Sequence, residues 1–226
     1  MNASLQIVWE DNHILVCHKP AGIAVQTAKL GEPDMESLAK KYLAKTTPGK
    51  EPYVGVVHRL DQPVEGVLVF GKEKTATASL SKQLQQTAHK QYYAKVWGVL
   101  EEKEKTLVHF LEKDGKTHQA ILSTPEKGKK AELTYRVIEE ANPTSLLEIT
   151  LHTGRFHQIR AQLSAIGHSI VGDWKYGSKE CLEWSKENHF RYPALCAYQL
   201  QFRHPKTNKE MCFILKNEDL PKWCQQ

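Results

Sequence analysis

The stretch VVHRLDQPVEGVLVFGK, residues 56–72, places a carboxylate shortly before an apolar segment that has the composition of a buried strand. Asp61 follows the basic pair His58 and Arg59 and precedes the strand-like segment Gly66–Phe70. A side chain just before a strand commonly faces a cleft at the edge of a sheet, so Asp61 is a candidate functional residue. The alternative is structural, because Asp61 could equally cap the turn or pair with Arg59.

Length and composition predict a globular protein without a membrane segment. A chain of 226 residues is long enough for one large domain or two small ones, and 40% hydrophobic residues suffice for an ordinary core. No apolar run is long enough to span a bilayer. The amino-terminal residues lack a basic leader followed by an apolar segment. We therefore expect a soluble, cytoplasmic protein.

The cysteine pattern argues against some structural classes, whereas the net charge does not identify a binding partner. The cysteines are odd in number and contain no CxxC pair, which argues against a disulfide framework and a structural zinc site. They are Cys17, Cys181, Cys196, Cys212 and Cys224. The formal charge of +5, from 31 Lys and Arg against 26 Asp and Glu, permits binding to a polyanion but does not require it.

The pattern of short strands and few helices predicts an α+β fold. Ten segments combine β-branched or aromatic residues with flanking turn-forming clusters, as strands do. They are Leu5–Trp9, Ile14–Cys17, Gly66–Phe70, Tyr92–Val99, Leu107–Leu111, His118–Leu122, Leu133–Glu139, Leu146–Leu151, Ala197–Arg203 and Met211–Leu215. Helical spacing occurs in Asp34–Ala44, Glu73–Ala88 and Phe156–Ile166. Because strands and helices do not alternate regularly, we predict a mixed, mostly antiparallel sheet in a single domain.

A second stretch, LHTGRFHQIRAQLSAIGHSIVGDWKYG at residues 151–177, predicts a strand, a turn and a polar helix start. The helix is expected to begin near Arg155 or Phe156, with His157, Gln158 and Arg160 in its first turns. Such an amino terminus favours anions, so these side chains could bind phosphate or RNA. The alternative is a solvated helix face with an arginine whose stem packs on the apolar stripe. The histidine spacing does not match a zinc helix, so we do not expect a metal.

Two further stretches are less specific. In HKQYYAKVWGVL, residues 89–100, alternation sends Tyr92 and Tyr93 to opposite faces of a strand. Such tyrosines are usually core or half-exposed sheet residues, but one beside a basic cleft could stack on a displaced base. In HKPAGIAVQ, residues 18–26, Pro20 and Gly22 predict only a turn after a strand.

Together, these four stretches resemble the RluA-type family of RNA pseudouridine synthases, and the similarity covers most of the chain in the expected order. The resemblance implies a mixed, mostly antiparallel sheet with a central catalytic cleft and flanking helices, and it implies isomerisation of uridines in RNA. Asp61 matches the catalytic aspartate, and Tyr92 matches the aromatic residue that stacks on the target base. Arg160 matches the arginine that pairs with the aspartate, and Arg59 matches an arginine at the flipped nucleotide.

The resemblance also sets the expected partner and site. We expect transfer RNA or ribosomal RNA as the partner, no membrane, and a monomer. Isomerisation needs no redox change and no phosphate energy, so no cofactor is expected. The catalytic residues would be Asp61, Arg160 and Tyr92, and the substrate-binding residues would be His58, Arg59, Arg155, His157 and Gln158. The chain has no room for the separate amino-terminal RNA-binding domain that many relatives carry, so residues 1–226 are predicted to form one catalytic domain.

One departure from the family pattern keeps other functions open. Val64 and Glu65 stand where the family commonly has threonine and serine, so a second negative charge lies near Asp61. That charge would raise the pKa of the aspartate or repel RNA unless Glu65 points away or pairs with a lysine. The alternative function is therefore a catalytically impaired RNA-binding protein of the same fold. A glycosidase-like hydrolase with Asp61 and Glu65 as its carboxylate pair is a third possibility.

Overall fold

A computed structural model describes residues 5–29, 31–46, 49 and 51–225. The described residues form two compact units, the first from those within residues 5–89 and 197–215 and the second from residues 90–196 and 216–225. Within these described ranges, no helix is both long enough and apolar enough to cross a membrane. The single catalytic domain expected from the sequence stays a prediction.

The elements confirm an α+β fold. The strands are β1 (Gln6–Glu10), β2 (Ile14–Lys19), β3 (Gly55–Val56), β4 (Glu65–Gly71), β5 (His89–Trp97), β6 (Glu104–Lys113), β7 (Ala120–Ser123), β8 (Lys129–Ala141), β9 (Thr144–Leu151), β10 (Leu195–Arg203) and β11 (Glu210–Ile214). The α-helices are α1 (Met35–Thr46), α2 (Lys74–Gln86), α3 (Gln158–Ala165) and α4 (Lys179–Glu187). Two short 3-10 helices follow, at Asn217–Asp219 and Lys222–Cys224.

The first unit is built around strands β2 and β4. Its strand order is β1-β2-β4-β10, with β3 added to β4 and β11 added to β10. All six residues of β2 are buried, because this strand lies inside the sheet with both edges paired. One face of the sheet packs against α1, where Leu15, Leu68 and Phe70 belong to the same core cluster as Met35 and Leu43.

The second unit has the strand order β5-β9-β8-β6-β7. Each neighbouring pair in this order is antiparallel. Strand β9 is buried along most of its length, as its nearly continuous apolar sequence predicts. In β5 the alternation predicted from the sequence is present, since Tyr92, Ala94 and Val96 are buried whereas Tyr93 and Lys95 are partly exposed.

All ten predicted strands are present, and the three predicted helices are present with shifted ends. Asp34 is the N-cap predicted for α1, since its Oδ1 accepts a hydrogen bond of 2.7 Å from the backbone N–H of Ser37. Strand β3 and helix α4 were not predicted. The predicted start of α3 is wrong, because His157 has a left-handed φ of 51° and the helix begins only at Gln158.

Gly66, at the start of β4, occupies a position that only glycine can fill. Its φ is +137°, and a Cβ atom here would lie 2.4 Å from the carbonyl oxygen of Ala197. We expect Gly66→Ala to lower the free energy of unfolding by about 2–4 kcal/mol, from backbone strain and overpacking together. Chemical denaturation measures this change. The control is Gly115→Ala, where the added Cβ meets no atom within 4 Å, and equal stability of the two variants would contradict the argument.

Candidate active site

Asp61 lies in the loop that leads into β4, and this loop is fixed at both ends. The backbone N–H of Val64 donates to the carbonyl oxygen of Asp61 over 3.0 Å, which closes a tight turn. Upstream, the Nε2 atom of His58 accepts a hydrogen bond of 3.2 Å from the backbone N–H of Val69. Asp61 is half-buried and Arg59 is exposed. The Asp61 carboxylate therefore lies in an ordered loop immediately before the buried strand β4.

Lys19 connects this loop to the turn that follows β2. Its side chain is fully buried, and its Nζ donates to the carbonyl oxygens of Pro20 at 3.1 Å and Gln62 at 3.0 Å. The backbone N–H of Gly22 donates to the same Gln62 carbonyl, and the Gln62 side chain donates back to the Gly22 carbonyl. The turn HKPAG, which predicted little by itself, therefore holds the residue next to Asp61.

The charge of Lys19 is shared between two carboxylates. Burial lowers the pKa of Lys19 to about 8, while the negative charges of Asp61 and Glu65 act in the opposite direction. Burial raises the pKa of Glu65, and the Lys19 charge lowers it. The His18 Nε2 atom also lies 4.0 Å from a Glu65 carboxylate oxygen. Glu65 and Asp61 therefore both interact electrostatically with the Lys19 ammonium.

In the second unit, the loop between β9 and α3 is organised by a buried glutamine. The Oε1 atom of Gln158 accepts hydrogen bonds from the Arg155 backbone N–H at 2.9 Å and the Thr153 hydroxyl at 2.7 Å. Its Nε2 donates to the carbonyl oxygen of Glu132 at 3.1 Å. Gln158 is only 3% exposed, so its position supports a structural role in the loop. Arg155 and His157 lie in this loop, outside the helix in which they were predicted.

Arg160 lies on α3 and forms a buried bidentate ion pair. Its Nε and Nη2 atoms each donate to a carboxylate oxygen of Asp173 over 2.7 Å. The side chains are 4% and 0% exposed, respectively. Asp173 also accepts backbone N–H groups of Lys175 and Tyr176, at 3.1 and 3.3 Å. Asp173, within the quoted stretch GHSIVGD, was not singled out from the sequence although it fixes the predicted arginine.

The predicted catalytic residues are distributed over both units. Asp61 belongs to the first unit, whereas Tyr92 and Arg160 belong to the second. Tyr92 is 8% exposed on the buried face of β5, opposite Ile149 of β9. The ion pair between Asp61 and Arg160 stays a prediction. In the described part of the chain, no group of three or more His, Cys, Asp or Glu residues is arranged to hold a metal ion.

Comparison with known proteins identifies relatives along most of the chain. A family model described as RNA pseudouridylate synthase matches residues 13–165. Ribosomal large subunit pseudouridine synthase D of Nitrosomonas europaea is 34% identical over 219 residues, which cover 91% of this chain and 60% of the relative. Dual-specificity RNA pseudouridine synthase RluA of Vibrio parahaemolyticus is 34% identical over 211 residues, covering 89% of this chain and 79% of the relative.

Solved structures share the fold. Human RNA Pseudouridylate Synthase Domain Containing 4 superposes with a TM-score of 0.76 at 21% identity, covering 96% of this chain and 89% of that chain. Human RNA Pseudouridylate Synthase Domain Containing 1 gives a TM-score of 0.73 at 24% identity, covering 94% and 83%. The family model, the curated relatives and the solved structures with the same fold are all described as RNA pseudouridine or pseudouridylate synthases. The chain belongs to the RluA-type family of RNA pseudouridine synthases, which are isomerases.

Proposed function

We propose that this protein isomerises selected uridines in transfer RNA or ribosomal RNA to pseudouridine, with Asp61 as the catalytic carboxylate. The observation that carries the proposal is the setting of Asp61, a half-buried carboxylate on a fixed loop within the field of the buried cation of Lys19. Asp61 also lies within the region that matches the family model. A cytoplasmic location and a monomeric state remain part of the prediction.

The reaction accounts for the need for a carboxylate. The uracil loses its bond from N1 to C1′, turns over and rejoins the sugar through C5, so N1 gains a hydrogen and C5 releases one. Atoms and electrons balance without a cofactor. A carboxylate can start the exchange as a nucleophile or base, and it must be ionised to do so. The positive charge of the buried Lys19 interacts with the Asp61 carboxylate.

The target base must leave its stack before Asp61 can act on it. Turning a nucleotide outward costs a few kcal/mol, which base stacking on an aromatic ring and phosphate contacts offset. We assign stacking to Tyr92 and charge stabilisation to Arg160. His58, Arg59, Arg155 and His157 are the proposed substrate-binding residues, and the buried Gln158 acts through the loop that it holds.

The alternative is an RNA-binding protein of the same fold with impaired catalysis. Glu65 favours it, because a second carboxylate shares the Lys19 cation with Asp61. The test is release of tritium from C5-labelled uridine in total RNA taken from cells that lack the gene. Release by the purified wild-type protein supports the synthase. Binding of that RNA without release from any of its fractions supports the impaired protein.

Tyr92→Ala is expected to lower the turnover rate at saturating RNA about tenfold, because base stacking on an aromatic ring contributes about 1–3 kcal/mol. Tritium release measured over a range of RNA concentrations separates turnover from binding. Tyr92→Phe is the matched control, since it keeps the ring and should stay close to the wild type. Equal turnover by Tyr92→Ala and the wild type would contradict the stacking role.

A further inference from the structure

We propose that Phe156 is a second stacking platform, on which a base of the bound RNA other than the modified one lies. The platform consists of Phe156 and His157 with two flanking cations, Lys113 and Arg155, all in the second unit. This inference rests on the proposed function, because it takes RNA as the partner. It assigns a binding role to a side chain that the reaction itself does not require.

Phe156 is an exposed ring whose position is already fixed. Its side chain is 43% exposed. Its ring is stacked on the imidazole of His157, with centroids 3.8 Å apart and planes inclined by 20°. The left-handed backbone of His157, at φ 51°, places the two consecutive rings face to face. The exposed ring therefore rests on another ring rather than in a hydrophobic core.

The support beneath Phe156 is a chain of specific contacts. The Nδ1 atom of His157 lies 2.9 Å from the hydroxyl of Tyr176, and that hydroxyl accepts the backbone N–H of Ala120 at 2.6 Å. The guanidinium of Arg160 lies 5.1 Å from the centre of the Tyr176 ring, and Arg160 is itself held by the buried pair with Asp173. Such preorganisation reduces the entropy that a stacked base would cost.

The surroundings of the ring are suited to a polyanion. The Nζ atom of Lys113 lies 5.1 Å from the centre of the Phe156 ring. Lys113 is exposed and a lysine side chain is flexible, so a base can replace the ammonium over the ring while the ammonium moves to a phosphate. Arg155, next to Phe156 in sequence, is exposed, and its Nε donates to the carbonyl oxygen of Lys130 at 2.8 Å, which fixes the position of a second cation. A rigid aromatic face flanked by cations is the combination that binds single-stranded nucleic acid.

Binding of a fluorescein-labelled oligouridylate of about 12 nucleotides tests the proposal, because stacking platforms tolerate any base and single-stranded sites span roughly 4–16 nucleotides. We expect Phe156→Ala to weaken binding, measured by fluorescence anisotropy, about tenfold. Phe156→Trp should bind within about threefold of the wild type, since it keeps a ring. The matched control is Tyr192→Ala, which removes a ring that is 45% exposed in the same unit and should leave binding unchanged.

Two further measurements separate stacking and charge from a structural effect. With a bromouridine-containing oligomer, ultraviolet irradiation should crosslink RNA to the peptide that contains Phe156. Lys113→Gln should reduce the slope of log affinity against log salt by about 0.7, the value for one phosphate contact on a single strand. Circular dichroism of each variant checks that the second unit remains folded.

These measurements report RNA binding and do not depend on catalysis, so they test the stacking platform separately from the proposed synthase activity. Wild-type affinity in Phe156→Ala overturns the platform, and so does a loss that Phe156→Trp fails to restore. If the wild type releases no tritium from any RNA but binds the oligomer through Phe156, the synthase proposal fails and the platform stands. If tritium is released and Phe156→Ala binds normally, the platform alone fails.

Discussion

Asp61→Asn is expected to abolish pseudouridine formation, with tritium release from C5-labelled RNA falling at least about a hundredfold. Asparagine has nearly the same size as aspartate but can neither accept a proton at this step nor attack as an anion. A positioned group of this kind contributes about 10²–10⁴-fold to a rate. The loop around Asp61 should persist, because its turn and its link to Gln62 depend on backbone atoms and on Lys19.

Asp61→Asn should still bind RNA with an affinity within a few-fold of the wild type, because phosphate and stacking contacts dominate binding. Filter binding of the labelled RNA measures this. Glu65→Gln is the matched control, because it removes the other carboxylate near Lys19 and should retain turnover within about tenfold. Undiminished release by Asp61→Asn would exclude the assignment. Equal loss in both variants would point instead to a pair of carboxylates acting together.

Much of the fold could be predicted because strand signals are local. Alternation in β5 and the unbroken apolar run of β9 reflect one-sided and two-sided burial, and both patterns are present in the structure. Helix α4 was missed although Ser178 is a regular N-cap, whose Oγ accepts the Cys181 backbone N–H at 3.2 Å. Its mostly polar sequence has only Cys181 and Ser185 buried, so no apolar stripe marks it.

The candidate site was predicted less completely, because its fixing contacts join residues that are distant in sequence. Lys19 contacts Gln62 across 43 positions, and nothing in the turn HKPAG indicates that its lysine would be buried. The start of α3 was misplaced for a different reason. A left-handed histidine is an uncommon conformation that helical periodicity does not reveal, and it moves Phe156 from a helix into an exposed loop.

Asp173→Ala is expected to lower the free energy of unfolding by about 3–5 kcal/mol, the cost of removing one partner of a buried ion pair. The change removes the acceptor of both 2.7 Å hydrogen bonds from Arg160, whose guanidinium then stays buried without that compensating carboxylate. It also removes the acceptor of the Lys175 and Tyr176 backbone N–H groups. The midpoint of thermal unfolding should fall by about 10 °C.

The control for this prediction is an ion pair of the same type on the surface. Arg136 of β8 donates to Glu148 of β9 over 2.7 Å, the same distance as in the buried pair, but the arginine side chain is 57% exposed. Solvent screens this pair, so Glu148→Ala should lower the free energy of unfolding by at most about 1 kcal/mol. A larger loss in Asp173→Ala than in Glu148→Ala would reflect the burial of the Arg160–Asp173 pair together with the backbone N–H groups that Asp173 also accepts. Equal losses would show that Asp173 does not hold Arg160 in the way that its two bonds imply.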